Sequence, residues 1–175
     1  MKEERIIVSQ VHLNDAEDLC ALMTSNATRF LRFFPITLKQ NSSVEDSKIF
    51  ILKKQKEQQA KEEYTFLLKE PLTNKIMGLL ILKEINWTTK QGELAYCIDH
   101  IYEGNGFMTR AVQYISNYAF RKLGLRTLQI IVHKSNFGSI RVAEKCNYIW
   151  QRTLKEAYTP PYELALDMEL YELKE

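Results

Sequence analysis

Two rhythms of apolar and polar positions alternate along the chain, and each change of rhythm marks the edge of an element. A short β-branched run from Arg5 to Val8 predicts a strand. Residues 13–23 follow with Ala16, Leu19, Cys20 and Met23 on one helical face and Asn14 or Asp15 placed to cap, which predicts a helix. Residues 29–36 are apolar and aromatic but run into Pro35, so they read as a loop or half-turn rather than a strand. Residues 43–60 carry a helix start, Ser42 or Ser43 ahead of Glu45 and Asp46, then lysine- and glutamine-rich turns with Val44, Ile49 and Leu52 as their apolar content. They predict a largely solvated helix.

Residues 64–69, 76–85 and 93–98 are three strand-like runs separated by polar turns at 71–75 and 88–92, the pattern of an antiparallel meander. The rhythm then changes: Phe107, Ala111, Ile115, Ala119 and Leu123 recur every four residues beside Met108, Val112 and Tyr118, and Gly124 supplies a stop. After this helix come a strand at 127–133, a short helix at 139–145, and strands at 148–153 and 163–173, the last following the Pro160-Pro161 break. The order βααβββαβαββ predicts an α/β (α+β) fold, with a mixed, largely antiparallel sheet flanked by helices. At 175 residues the chain is read as a single domain, 1–175.

Composition narrows the function classes. Apolar residues make up 45% and charged residues 26%, so the chain should fold. Twenty-four basic against twenty-two acidic residues leave a net charge of +2, which gives no electrostatic footprint for nucleic acid. The longest apolar run, residues 76–82, is too short to cross a bilayer, and the first residues lack the apolar stretch of a secretory signal. A cytoplasmic protein without a membrane role is expected. Cys20, Cys97 and Cys146 form no CxxC pair and His12, His100 and His133 are scattered, so no metal site is visible and the thiols read as buried and reduced. A homodimer stays open.

The candidate chemistry begins at Gly104-Asn105-Gly106, two of the six glycines within three residues at the mouth of the 107 helix. A strand, a glycine turn and a helix start bring main-chain N–H groups to one point, the helix dipole adds partial positive charge, and glycine permits close approach of phosphate oxygens. A Walker-type loop needs a lysine and Ser/Thr after the last glycine, where Phe107 and Met108 stand; a dinucleotide fingerprint needs a third glycine where Thr109 stands. The lost lysine points to a diphosphate held mainly by main-chain amides. A plain tight turn is the other reading of the same residues.

Taken with Gly92-Glu-Leu-Ala-Tyr-Cys-Ile-Asp99 before it and Asn136-Phe-Gly-Ser-Ile-Arg-Val-Ala-Glu-Lys-Cys-Asn-Tyr148 after it, the chain resembles the GNAT superfamily of acetyl-CoA-dependent N-acetyltransferases, in particular its RimJ/RimL-like branch of ribosomal-protein N-terminal acetyltransferases. The resemblance spans essentially the whole chain and is strongest from Glu93 to Tyr148. It implies that acetyl-CoA is the co-substrate and that Glu103, Gly104, Asn105, Gly106, Phe107, Met108 and Thr109 contact its pyrophosphate. It also implies that the strand through Tyr96, Cys97 and Ile98 pairs with the pantetheine arm. Asn136 and Ser139 would hold the thiol end, while residue by residue their positions also suit a helix N-terminus with capping side chains. The chain departs from the family at Ile101, where glutamine or arginine is usual, and at Ala143, where many members carry the tyrosine that returns a proton to the thiolate.

Acetyl transfer to an amine needs a neutral nitrogen, a polarised thioester carbonyl and a proton for the leaving thiolate. The resemblance places Glu93 as the base, acting directly or through water, although the bare sequence favours a solvated carboxylate at a strand end. Ser139, or a water held by Asn136, is the candidate acid. Phe30 to Phe34, the segment around Trp87, and Tyr158 to Tyr162 are candidates to line the acceptor pocket, each of them also a candidate for the core. The implied function is N-acetyl transfer by direct attack in a ternary complex, the acceptor being a protein N-terminal amine. A small amine such as a polyamine or amino-sugar, or a non-catalytic acyl-CoA-binding module, are the alternatives.

Overall fold

The computed structural model describes residues 6–175. Its strands are β1 (Ile7–Gln10), β2 (Tyr64–Lys69), β3 (Ile76–Asn86), β4 (Gln91–Ile98), β5 (Thr127–Val132), β6 (Ile149–Tyr158) and β7 (Leu166–Lys174). They follow the order β1-β2-β3-β4-β5-β7-β6 in a seven-stranded sheet. The helices are α1 (Ala16–Ser25), α2 (Ala27–Phe30), α3 (Pro35–Lys39), α4 (Val44–Gln59), α5 (Phe107–Arg121) and α6 (Phe137–Lys145). The sheet is mostly antiparallel and mixed with helices, as the element order predicts. Arg5, where the first predicted strand begins, lies outside the described residues.

Two compact units divide the chain. The first comprises residues 6–81 of the described chain with Tyr96–Glu103. Here β1 pairs antiparallel with β2, and α1 and α4 pack together, with α4 also on β2. The core joins Leu19, Leu22 and Met23 of α1, Phe50 and Ile51 of α4, and Leu67, Leu79 and Cys97 from the strands. Three expectations need correction in this unit. Residues 29–36 are not a plain loop: α2 ends at Phe30, and Pro35 opens α3, where its missing N–H is no loss because first-turn donors have no helical partner. In α4, Val44, Ile49 and Leu52 face solvent, whereas Ser47, Phe50, Ile51 and Lys54 form the buried stripe. Two polar members hold that stripe through specific partners: Ser47 donates to Asn41 at 2.8 Å, and Lys54 bonds Glu57 at 2.9 Å and Glu63 at 2.6 Å. Ser43 caps α4 through the Asp46 N–H, as the start signal predicts. Asp15 does not cap α1 with its side chain; it accepts from the His12 N–H and forms a buried ion pair with Lys69 at 2.5 Å.

The second unit comprises Leu82–Ala95 with Gly104–Glu175. β5 and β6 each pair antiparallel with β7, and α6 packs on both α5 and β5. Met108, Ala111, Val112, Ile115 and Ala119 bury the predicted apolar face of α5, with Gly124 past its end at φ +70°. The parallel pairing of β4 with β5 joins Gln91, Gly92 and Glu93 to Thr127, Leu128 and Gln129, then stops. β5 runs on against β7 as far as Val132. The two strands therefore part after Glu93.

Candidate active site

In the first unit, the end of β4 leads into the predicted cofactor segment. Tyr96 and Cys97 are buried and Ile98 half-buried. Cys97 belongs to the core cluster, and burial pushes its thiol from the ordinary 9.0 up to about 12, with the Leu79 main chain and the charge of Arg29 opposing that rise. A thiol so placed stays protonated near neutral pH and is a poor nucleophile. The Asp99 N–H donates to the Met77 carbonyl at 2.8 Å, and its carboxylate accepts from the Ile101 N–H at 3.3 Å, fixing the short 3-10 turn His100–Tyr102. Glu103 then pairs with Arg29, whose other nitrogen donates to Asn26 at 3.0 Å; the same Asn26 oxygen accepts from the His100 N–H at 3.2 Å. Arg29 thus neutralises the one carboxylate that adjoins the glycine turn in sequence. Asn26 and Arg29 escaped the sequence reading, because nothing local links residues 74 positions apart.

In the second unit, Gly104 and Gly106 hold φ +78° and +73°. The left-handed region is costly to any side chain with a Cβ, which accounts for both glycines. Gly106 is the N-cap of α5, and the first helical bond runs from the Arg110 N–H to the Gly106 carbonyl at 3.1 Å. The N–H groups of Met108 and Thr109 therefore precede the helix's own ladder. Arg110, four residues past Gly106, sets its guanidinium 5.0 Å from the Phe107 ring centroid. A Cβ placed on Gly106 would stand 3.6 Å from its Nη1. Its Nε and Nη2 are buried and have no hydrogen-bond partner among the described residues. The Thr109 carbonyl accepts from the Cys146 thiol at 3.4 Å, tying the end of α6 to the first turn of α5. Burial pushes that thiol up to about 11.

Asn136 opens α6, and its side-chain oxygen accepts from the Ser139 N–H at 3.1 Å, so its carbonyl end is used as a cap. The amide nitrogen of Asn136 is not used by the cap. Ala143 is fully buried. The nearest later tyrosine, Tyr148, does not replace the missing acid: its hydroxyl meets that of Ser116 at 2.9 Å, and burial raises its ionisation well above the usual phenol range. Glu93, half-buried beside the point where β4 and β5 part, pairs with Lys83 at 3.0 Å. Lys83 also escaped notice in the sequence; it lies on β3, and only the strand register brings it to Glu93. Of the candidate pocket aromatics, Phe30 and Phe34 go to the core of the first unit, Trp87 is exposed, and Tyr162 is fully exposed. Among the described residues no three His, Cys, Asp or Glu side chains group to hold a metal, and no helix is long and apolar enough to cross a membrane.

Known proteins resemble this chain in both sequence and fold. It is 29% identical over 149 residues to "Probable N-acetyltransferase YjcK" of Bacillus subtilis (strain 168), covering 85% of this chain and 82% of that one. Its fold superposes on the ribosomal-protein-S5-alanine acetyltransferase of Vibrio fischeri with a TM-score of 0.88 at 18% identity, covering 99% and 95% of the two chains. It superposes on RimL, the ribosomal L7/L12 α-N-protein acetyltransferase in complex with coenzyme A, with a TM-score of 0.87 at 18% identity, covering 97% and 93%. At such identities the structural likenesses speak for the fold. The acetyltransferase (GNAT) domain matches residues 5–149, most of the chain, and to that family the chain belongs.

Proposed function

We propose that this acetyl-CoA-dependent acetyltransferase acetylates the α-amine at a protein N-terminus, by direct attack within a ternary complex. The observation that carries the reading is the Lys83–Glu93 pair: the carboxylate offered as base is already matched by a cation 3.0 Å away. A carboxylate is a weak base, with a reference pKa of about 4.3. It suits an α-amine, whose reference pKa is about 7.7 to 8, far better than a lysine amine at about 10.4. The ribosomal-protein acetyltransferases that share the fold support the same acceptor class. The protonated thiol of Cys97 supports direct attack, because it leaves β4 without a nucleophile for an acyl-enzyme.

The residues fit coenzyme A. The left-handed glycines and the N–H groups of Met108 and Thr109 are suited to the diphosphate, and the freed edge of β4 past Glu93 to an extended arm. Acetyl-CoA supplies an activated thioester. In this reading Glu93 takes the proton of the acceptor amine directly or through a water, and main-chain N–H groups of β4 polarise the carbonyl. Asn136 orients the thiol end, and the Ser139 hydroxyl returns the proton that Ala143 cannot. Residues 1–175 are taken as one catalytic domain, supported by a family match that runs through both compact units. The enzyme is taken to work in the cytoplasm.

The test is thiol release with acetyl-CoA over a panel of peptides with free N-termini, N-blocked peptides containing lysine, spermidine and glucosamine, with products located by mass spectrometry. Free N-termini are expected to show kcat/KM at least about tenfold above the rest, about 1.4 kcal/mol of discrimination. Preference for a small amine would overturn the acceptor, and coenzyme A binding without turnover on any amine would overturn the enzyme reading.

A further inference from the structure

Arg110 has no part in the proposed mechanism, yet two of its donor atoms are buried without a hydrogen-bond partner among the described residues. A guanidinium carries five N–H donors and stays charged in any protein environment. Arg110 is half-buried, and burying its Nε and Nη2 with no acceptor is costly, since those donors lose their hydration and gain no hydrogen bond in return. Stacking on Phe107 at 5.0 Å offsets part of that cost but offers no acceptor to the in-plane donors.

The direction of the side chain follows from helix geometry. Side chains on a helix lean toward its N-terminus, over the turn that precedes their own Cα. Arg110 lies four residues into the helix capped by Gly106, so the lean carries its guanidinium back to the glycine turn. The 3.6 Å between Nη1 and the Cβ position of Gly106 shows the result.

We propose that Arg110 is a cofactor-binding residue that supplies the positive charge of the diphosphate cradle, donating from its buried edge to a diphosphate oxygen of coenzyme A. The inference rests on the coenzyme A reading above. It revises the division of labour read from sequence: the cation a Walker-type loop places just after its last glycine is here supplied from one turn further along the helix. A guanidinium is suited to that place because its planar fork can meet two phosphate oxygens while its face stays on an aromatic ring.

Calorimetry and steady-state kinetics on the full chain with Arg110→Gln and Arg110→Lys test this, using coenzyme A, 3′-dephospho-coenzyme A, acetyl-CoA and S-acetylpantetheine, which lacks the diphosphate. A charge-assisted bond is worth about 1.5 to 3 kcal/mol, so Arg110→Gln should raise Kd for coenzyme A, and KM for acetyl-CoA, by about ten- to a hundredfold with kcat little changed. The same penalty should persist with 3′-dephospho-coenzyme A and vanish with S-acetylpantetheine, and Arg110→Lys should recover part of it. The melting temperature of Arg110→Gln without ligand should equal or exceed that of the wild type, because an unmatched charge has been removed. Equal loss with S-acetylpantetheine would reduce Arg110 to a structural residue, and a penalty confined to the 3′-phosphorylated ligand would move its target to that phosphate. Unchanged affinity in Arg110→Gln would sink the inference alone, whereas a wild type that binds no coenzyme A would sink the reading beneath it.

Discussion

Replacing Cys97 by alanine separates two chemistries and reads out one buried group. If β4 carries an acyl group during turnover, Cys97→Ala abolishes activity; if the amine attacks the thioester directly, kcat should stay within about threefold of wild type. Removing one buried sulfur from the core of the first unit should cost about 1 to 2 kcal/mol at neutral pH through lost burial and the small void left behind. Alkaline pH supplies a sharper signature. With an ionisation near 9.0 unfolded and about 12 folded, the thiol is protonated in the folded state where the unfolded chain has already lost its proton, so stability falls as pH rises above 9. At about 1.4 kcal/mol per pH unit, Cys97 alone removes on the order of 1 kcal/mol between pH 7 and 10 and roughly twice that by pH 11. Cys146 contributes in the same direction in both proteins and cancels in the comparison. Urea unfolding at pH 7, 10 and 11 should show the variant less stable at neutral pH and losing less stability with rising pH. Parallel pH dependences would show that the buried thiol is not the source, and a folded variant that binds coenzyme A normally but loses activity a hundredfold would refute direct attack.

Three further substitutions probe other parts of the molecule. Glu93→Gln should lower kcat by about a hundredfold or more if the carboxylate takes the amine proton; a kcat within about threefold of wild type removes Glu93 as base. Gly106→Ala forces a side chain to φ +73° and should cost about 1 to 2 kcal/mol of stability in urea unfolding while raising KM for acetyl-CoA; equal stability would show that the turn tolerates another conformation. Lys69→Met strands the buried carboxylate of Asp15 and should cost about 3 to 5 kcal/mol, most of it recovered by adding Asp15→Asn; absence of recovery would assign the loss to packing.

The parts of the fold written in local chemistry were legible. The period of α5, the glycine at each of its ends and the Ser43 cap of α4 are properties of a few neighbouring residues, and the structure keeps them all. The face of α4 was not legible, since three exposed aliphatics outweighed a buried stripe containing serine and lysine, whose partners Asn41, Glu57 and Glu63 come from helix ends and loops. The aromatic run after Asn26 hid two short helices because Pro35, which reads as a helix breaker, stands at the first position of α3, where a proline is tolerated. The glycine turn was visible as a motif, but the pairs Arg29–Glu103 and Lys83–Glu93 depend on tertiary placement and strand register. Arg110 stood in plain view four residues past Gly106, and the backward lean of helical side chains was the signal that could have found it.

The parting of β4 and β5 has a further consequence, for the empty protein. It creates a strand edge in the interior of a sheet instead of at its rim. Natural sheets guard their outer edges with charge, bulges or brevity, because unpaired main chain is a template for any passing strand. Leu94 and Ala95, just past the last paired residue, bring no charge to that duty. On the proposed reading a slender extended ligand arm takes the place of the absent neighbour. The opening proposed to admit the co-substrate is then also an unguarded edge, and the ligand arm that fills it shields the protein from pairing with a foreign strand.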